Sequence, residues 1–402
     1  MPPLTHWRIP HHAPVPGRAT LGPYLRAALH LPRRPRTLDD AFRGRLADRT
    51  LTGTPTGRHA LWQYLQTVPL EPGDEVLVAA YNYWVVVQLL VQRGLRPVFV
   101  DVDPQTLCMD LDDLARKVGP RSRMVLLTHM FGHPAPSADV ETFCADRGLR
   151  LFEDCAHALG TEVQTETGPQ SAGSFGDGAL FSFGVYKNVN ALGGGMLALA
   201  PSVGPPVPLP TNTGGFAEQH TRAALSLMLQ PVPWTVALQP LLRRVPKLED
   251  ALDATTPPTT WAFDPASRAP FHPFMAEAVA RQLRQLDAHT QIRRSITQAV
   301  YDATDGVLGI RPLRPDIHGR SNGSYLGVWV DDMDRWVDTF ARRGVEAKPR
   351  QFLDCSQLPL FGDARRRCSG AAAVERHVLR LPSFPHMGAS ARQRLIDAIR
   401  HA

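Results

Sequence analysis

The sequence predicts an α/β fold in which a mainly parallel sheet lies between helices, followed by a smaller α+β domain. Two observations support this. From about residue 50 to 200, short apolar runs alternate with segments of helical periodicity, a pattern typical of a parallel sheet. After residue 270 the pattern changes to one long helical stretch with a few separate strands. The 402 residues are enough for two domains.

Each predicted strand of the first part is a short apolar run. The six runs are Glu75–Ala80, Pro97–Asp101, Met124–Thr128, Leu149–Asp154, Ala179–Phe183 and Met196–Ala200. The helical segments between them are Ala60–Val68, Trp84–Arg93, Leu111–Val118 and Ser137–Arg147. In open α/β sheets, ligands bind beyond the carboxyl ends of the strands. Polar residues that follow the strands, such as Asn82, His129 and Asp154, are therefore candidates for a site.

The changes of pattern along the chain predict three parts. Residues 1–48 form an N-terminal arm, residues 49–270 a large α/β domain with a Pro-rich insertion at 201–270, and residues 271–402 a long helix with a small α+β domain. In the last part we predict a helix over Met275–Asp302 and a strand over Ser324–Val330, followed by helices over Met333–Gly344 and Ser390–His401.

Composition excludes several classes of function. The net charge of +6 comes from 44 basic and 38 acidic residues spread along the chain, which is typical of a solvated surface and predicts no nucleic-acid partner. The five cysteines contain no CxxC pair, so we predict no metal site. Their odd number, with no apolar leader at the N-terminus, predicts a cytoplasmic location.

The segment Ala223–Leu242 has no charged residue, and three prolines divide it into pieces too short to cross a membrane. One interpretation is a helical hairpin that packs on the body of the protein or on a dimer partner. The other is an interfacial patch that makes weak contact with a membrane surface, or a wall for a lipophilic substrate.

Three stretches carry residues suited to catalysis. An apolar strand ends at Asp154, with His157 three residues later, although Asp154 alone could equally cap a following helix. Lys187 lies five residues after Ser182 in a glycine-bounded loop, and alone it is indistinguishable from a surface lysine. Gly57 lies at a predicted helix start, where free N–H groups attract an anion.

Together these residues fit one cofactor, pyridoxal phosphate. This group needs a lysine for a Schiff base, a carboxylate on the pyridine nitrogen and a phosphate cup. Lys187 and Asp154 supply the first two functions. The phosphate contacts and the aromatic residue against the ring are predicted to be Gly57, Arg58, Ser182 and Tyr83.

The motifs are similar to those of a known family, the DegT/DnrJ/EryC1/StrS aminotransferases, which are the sugar-aminotransferase branch of fold type I pyridoxal phosphate enzymes. The matching stretches are TGRHALWQYL, LFEDCAHALG, GSFGDGALFSFGVYKN and GGGMLAL, and the terminal RLPSFPHM resembles the closing motif of the family. The resemblance is nearly continuous over residues 50–200 and weaker over 275–400.

The resemblance implies a role for each candidate. Lys187 matches the Schiff-base lysine, Asp154 its pyridinium partner, and His157 the Gln or His near the ring hydroxyl. The remaining matches are Tyr83 to the stacking aromatic residue, Ser182 to a phosphate contact, and Gly57 and Arg58 to the phosphate loop. The resemblance also implies a homodimer that transfers an amino group from an amino-acid donor, glutamate in this family, to a keto acceptor such as a keto-sugar.

Three departures from the family qualify this prediction. The phosphate loop reads TGR instead of SGT, so Arg58 either pairs with the phosphate or faces solvent. A His-Tyr-Pro stretch that meets substrate in the family is replaced by Arg350, Gln351 and Phe352, which brings a nucleotide-sugar substrate into question. The family's Asn that reaches the neighbouring subunit corresponds to a position near Arg268 in this sequence.

Two alternatives to an aminotransferase are a pyridoxal phosphate enzyme of other chemistry, elimination or oxidation, and a non-catalytic regulatory protein.

Overall fold

The computed structural model describes residues 9, 22–23, 37–46, 48–210, 261–266, 270–361 and 368–401. Most of the predicted N-terminal arm and residues 211–260 of the Pro-rich insertion lie outside these residues. So do Arg268 and the uncharged segment 223–242, to which the predicted hairpin or membrane contact belongs. Among the helices in the described ranges, none combines the length and apolar character needed to cross a membrane.

The strands and helices are numbered in chain order over the described ranges. The strands are β1 Thr50–Thr54, β2 Glu75–Ala79, β3 Tyr81–Asn82, β4 Arg96–Val100, β5 Ser122–Thr128, β6 Arg150–Asp154, β7 Glu162–Thr165, β8 Gly168–Ser171, β9 Gly178–Ser182, β10 Gly195–Leu199, β11 Ile310–Pro312, β12 Gly319–Arg320, β13 Leu326–Val330, β14 Lys348–Pro349, β15 Leu353–Asp354 and β16 Val378–Leu381. The helices are α1 Leu38–Phe42, α2 Gly57–Thr67, α3 Trp84–Gln92, α4 Leu111–Lys117, α5 Ser137–Arg147, α6 Pro273–Leu283, α7 Leu286–Ala303, α8 Met333–Arg342, α9 Ser369–His377 and α10 Ala389–Arg400.

A seven-stranded sheet forms the centre of the first part, in the order β1-β10-β9-β6-β5-β2-β4. The strands from β9 to β4 pair in parallel, and β1 and β10 add an antiparallel edge. The predicted α/β class with a mainly parallel sheet is confirmed, and each of the six predicted strands lies within two residues of its observed bounds. Val76, Leu77 and Val78 of β2 have no exposed surface, as expected for a strand covered on both faces.

The long helix predicted over Met275–Asp302 is two helices, so this prediction is wrong. The chain breaks at Arg284 and Gln285, where Gln285 has φ −109° and ψ 0°. Apart from Leu286 at the start of α7, the two helices pack in different cores. Phe274 and Val279 of α6 pack in the core of the large sheet, whereas Ile296 and Val300 of α7 pack in a second core. A single straight helix could not present its apolar stripe to both.

The second core lies under a four-stranded antiparallel sheet with the order β11-β13-β16-β14. Ile9 from the predicted arm joins this core, and its N–H donates to the carbonyl of Gly344 at 2.8 Å. Two short pairings, β12 with β7 and β15 with β3, connect this part of the chain to the first. The domain boundaries after residues 48 and 270 stay a prediction.

Candidate active site

A cavity of about 350 Å³ lies at the carboxyl ends of the parallel strands. Its walls come from the loops after β5, β6 and β9, the start of α2, and two segments near β13 and β15. Every site residue predicted from the sequence lines this one cavity: Gly57, Arg58, Tyr83, Asp154, His157, Ser182 and Lys187. The structure therefore brings together residues that are 130 positions apart in the chain.

Asp154 is the last residue of β6 and is 5% exposed. Its Oδ1 accepts the N–H of Ala156 at 2.9 Å, which closes a tight turn. No α-helix begins between residues 155 and 161, so the alternative role as a helix cap has no helix to act on. Burial raises the pKa of Asp154, and this is opposed by the bond from Ala156 and by the positive charge of Lys187.

Lys187 lies in the loop between β9 and β10, where its N–H donates to the carbonyl of Gly184 at 3.0 Å. The residue is partly exposed, but its amine is buried. Burial lowers the pKa of Lys187 to about 8, with the charge of Asp154 opposing the shift and that of Arg380 adding to it. An amine with this pKa is a usable base near neutral pH.

Helix α6 holds the loop that carries Lys187. The side chain of Gln282 accepts the N–H of Asn190 at 3.0 Å and donates to the carbonyl of Asn190 at 2.7 Å. The side chain of Asn190 in turn donates to the carbonyl of Val185 at 2.6 Å. These bonds fix the loop on both sides of Lys187, so that its side chain enters the cavity from a defined position.

The start of α2 forms a cup with Ser182 at the end of β9. The side chain of Thr56 caps the helix by accepting the N–H of His59, and Gly57 is the first helical residue. The helix has eleven residues, so its N-terminus carries the partial positive charge that attracts a phosphate. Arg58 lines the cavity, and its charge lowers the pKa of Tyr83, which burial raises by a larger amount.

The cup depends on a close approach of β10 to the helix start. A Cβ added to Gly195 would lie 2.4 Å from the backbone of Thr56 and Gly57.

We expect Gly195→Ala to destabilise the protein by about 1–3 kcal/mol and to weaken phosphate binding, because the strand must move away. Thermal unfolding and titration with pyridoxal phosphate measure both effects. Gly388→Ala is the control, since no atom lies within 4 Å of its added Cβ. Equal effects of the two variants would contradict the expectation.

Tyr83 lies just before α3, and its N–H donates to the side chain of Asn82 at 2.7 Å. The Nδ2 of Asn82 donates to Thr128 at 3.2 Å, so the turn after β3 is held to the end of β5. The ring of Tyr83 lies 6.4 Å from that of Phe352 in an edge-to-face arrangement. Its stacking against a cofactor ring stays a prediction.

His157 lies in the turn after β6, and its ring packs against two rings from the second part of the chain. The distances between ring centres are 4.4 Å to Tyr325 and 5.4 Å to Phe352. Its carbonyl accepts bonds from Asn322 at 2.7 Å and Ser324 at 3.0 Å. Burial lowers the pKa of His157 well below its usual value, and the charges of Lys187 and Arg380 lower it further. The imidazole is therefore neutral.

A buried hydrogen-bond network supports the floor of the cavity. His129 accepts the N–H of Ala135 at Nδ1, so its proton is on Nε2, which donates to Glu153 at 2.7 Å. Glu153 also accepts the hydroxyl of Ser137 at 2.9 Å. Cys155 completes a group whose possible metal-ligating atoms lie within 4.8 Å of one another. Because hydrogen bonds within the protein already occupy the histidine and the carboxylate, we interpret this group as structural.

Two residues of the cavity region escaped the sequence analysis, Tyr325 and Arg380. Tyr325 lines the cavity, and the guanidinium of Arg380 lies 3.5 Å from the centre of its ring. Arg380 is 5% exposed and donates from Nη1 to Oε1 of Gln351 at 2.9 Å. The sequence feature that could have identified Arg380 is a charged residue inside the apolar run VLRLP. Arginine is rarely buried in a strand unless it has a partner.

These residues fit pyridoxal phosphate. The cavity offers a buried amine of depressed pKa, a buried carboxylate and a helix start facing Ser182, which are the three groups that this cofactor needs. The fold and this set of side chains together match what a fold type I pyridoxal phosphate enzyme requires.

Sequence comparison supplies the family. Residues 33–201 match the model of the DegT/DnrJ/EryC1/StrS aminotransferase family. The stretch contains all seven predicted site residues.

Curated relatives match over the same part of the chain. One is UDP-N-acetyl-3-dehydro-alpha-D-glucosamine 3-aminotransferase of Acidithiobacillus ferrooxidans, 35% identical over 149 residues, which are 37% of this chain and 39% of the relative. Another is dTDP-4-dehydro-2,3,6-trideoxy-D-glucose 4-aminotransferase of Saccharopolyspora spinosa, 37% identical over 145 residues, 36% of this chain and 37% of the relative. The matches thus span less than two fifths of these relatives.

Among solved structures, the aminotransferase TlmJ from Streptoalloteichus hindustanus superimposes with a TM-score of 0.75. The alignment covers 98% of each chain at 24% identity. This likeness shows that the described residues share a fold with that protein, including those of the second part, which the family model does not reach.

Proposed function

We propose that the protein is a pyridoxal phosphate-dependent aminotransferase that moves an amino group from an amino-acid donor, with glutamate the first to test, to a keto acceptor. The observation that carries this proposal is the arrangement of Lys187 and Asp154. They lie on neighbouring strand-end loops, face the same cavity, and each changes the pKa of the other. Keto-sugars are the acceptors named for both curated relatives, and they are the first class of acceptor to test.

In this proposal each residue has a task. The bound cofactor supplies an electron sink that allows a C–H bond next to nitrogen to break. Lys187 holds the cofactor covalently until the donor arrives, and its freed Nζ then accepts the proton from the donor Cα. Its depressed pKa keeps a fraction of the amine unprotonated near neutral pH.

The other site residues bind and orient. The carboxylate of Asp154 would stabilise a proton on the pyridine nitrogen, and the neutral imidazole of His157 would contact the hydroxyl side of the cofactor ring. Tyr83 forms one face of the cavity. The helix start at Gly57, with the hydroxyl of Ser182 and the guanidinium of Arg58, binds the phosphate.

A half-reaction tests the proposal. Purified protein loaded with pyridoxal phosphate is mixed with L-glutamate in the absence of any acceptor. We expect loss of the near-visible absorption band and release of one 2-oxoglutarate per site. Elimination would instead release ammonia with an unsaturated or keto product while the band returns, and oxidation would consume oxygen. A regulatory protein would keep its spectrum with every donor of a broad amino-acid panel.

We also propose that the chain works as a cytoplasmic homodimer, as the family resemblance implies. What supports a dimer is the resemblance alone, in which the family's Asn that reaches the neighbouring subunit falls near Arg268. Sedimentation equilibrium of the purified protein distinguishes one chain from two.

A further inference from the structure

Tyr325, Gln351 and Phe352 form one wall of the cavity. Behind this wall lies the guanidinium of Arg380, a positive charge that has no task in the proposed reaction. Arg380 is on β16, opposite Gly327 in the pairing with β13. Its guanidinium packs over the ring of Tyr325 at 3.5 Å, and its Nη1 donates to Oε1 of Gln351 at 2.9 Å.

The contact with Arg380 determines what Gln351 presents to the cavity. A guanidinium only donates hydrogen bonds, so the amide atom that faces it must be the oxygen. The amide nitrogen of Gln351 is then directed away from Arg380. Within the described ranges the hydrogen bond of the Gln351 side chain is the one that its oxygen accepts from Arg380, and Gln351 lines the cavity. The wall therefore offers a hydrogen-bond donor to whatever occupies the cavity.

The backbone is strained at the residue that directs this segment inward. Arg350 has φ +48°, a region that residues other than glycine rarely adopt. The next two residues, Gln351 and Phe352, both line the cavity, and pairing of β15 with β3 fixes the chain immediately afterwards. Strain of this kind persists only where surrounding contacts enforce it, and here it places two side chains in the site.

The charge of Arg380 acts on two side chains of the candidate active site, Lys187 and His157. It lowers the pKa of both Lys187 and His157, in addition to the larger effect of burial. The wall therefore carries positive potential behind a neutral donor. A hydrogen-bond donor that has a positive charge behind it binds an oxygen with negative charge more strongly than it binds a neutral hydroxyl. The phosphate cup lies at a different wall, formed by Gly57, Arg58 and Ser182.

We propose that Gln351 and Arg380 form a recognition element for a substrate carboxylate. Nε2 of Gln351 donates to a carboxylate oxygen, and Arg380 is a positioning residue that acts through Gln351 by fixing the amide and supplying positive potential. The inference rests on the proposed function, because the carboxylate belongs to the amino donor or to the keto acceptor of that reaction.

Calorimetric titration of the cofactor-loaded protein with glutarate tests this directly. Glutarate carries two carboxylates but no amine or ketone, so it cannot react. We expect Gln351→Leu to weaken its binding at least about tenfold, the loss of one charge-assisted hydrogen bond. Gln351→Glu should weaken it more, because a carboxylate then faces the ligand. Arg380→Lys keeps the charge but loses the planar contact, and an intermediate effect is expected. Gln357→Leu, on an exposed residue of the same segment, is the control.

Single-turnover kinetics with glutamate then distinguish the two sources of the carboxylate. If it is the donor's, Gln351→Leu raises the half-saturating glutamate concentration about tenfold or more, while the maximal rate changes little. If it is the acceptor's, glutamate saturation is unchanged although glutarate binds more weakly. Failure of glutarate to bind the unaltered protein, or equal binding to all variants, overturns the inference. A protein that binds glutarate through Gln351 yet releases no 2-oxoglutarate from glutamate would retain the inference and refute the proposed function.

Discussion

Lys187→Ala is expected to stop turnover while the protein still folds and still binds pyridoxal phosphate non-covalently. Loss of the general base alone costs about 10²–10⁴-fold in rate, and loss of the covalent anchor adds to this. Treatment of the unaltered protein with borohydride should fix the cofactor to the peptide that contains Lys187. Mass spectrometry of the digested protein locates the modified lysine.

The other described lysines provide the comparison. Lys117 pairs with Asp113 at 2.6 Å and donates to the carbonyl of Phe99, and Lys348 lies on β14 in the second sheet. A cofactor label on either residue would refute the assignment. The pH dependence adds a second check. Because only an unprotonated amine attacks an aldehyde, attachment should accelerate as the pH rises towards 8 and level off above it.

Asp154→Asn should lower turnover at least about a hundredfold with the fold intact. A charge-assisted contact at a buried site is worth about 1.5–3 kcal/mol, and the neutral amide cannot stabilise a protonated pyridine nitrogen. Burial raises the pKa of Asp154, and the hydrogen bond from Ala156 and the positive charge of Lys187 oppose this shift. Steady-state rates, together with the absorption spectrum of the bound cofactor, measure the effect.

The control is Asp112→Asn, since Asp112 is an exposed carboxylate on α4. We expect it to change neither rate nor spectrum. If Asp154→Asn retained near-normal turnover, the role of Asp154 would be limited to the turn it closes with Ala156. Circular dichroism and thermal unfolding separate a chemical effect from loss of structure.

The first part of the fold could be predicted because its strands are covered on both faces. Strands such as β2 and β5 are nearly continuous apolar runs whose ends are marked by polar residues, so both their position and the location of the cavity follow from local sequence. The hairpin of β7 and β8 could not be found in this way. Its strands read EVQT and GPQS, are mostly only partly buried and lack an apolar run.

The cavity wall of Tyr325, Gln351 and Arg380 depends on contacts between distant parts of the chain. Arg380 reaches Gln351 because β16 lies next to both β13 and β14, and local pattern gives no information about such pairing. The break between α6 and α7 was missed for a related reason. Apolar periodicity continues past Gln285, and only the positions of the two cores require the helix to change direction there.

The cavity is lined by residues from two separate stretches of the chain, which has a consequence for how this protein can diversify. Residues from 57 to 187 supply the candidate cofactor contacts, whereas Tyr325 and Arg380 belong to β13, β16 and their flanks. A library confined to positions 325, 351 and 380 would therefore sample new substrates without replacing a candidate cofactor contact, and substitutions of Arg380 would also change the pKa of Lys187 and His157. Duplicated genes could follow the same route, with selectivity drifting on one sheet as the chemistry stays under selection on the other.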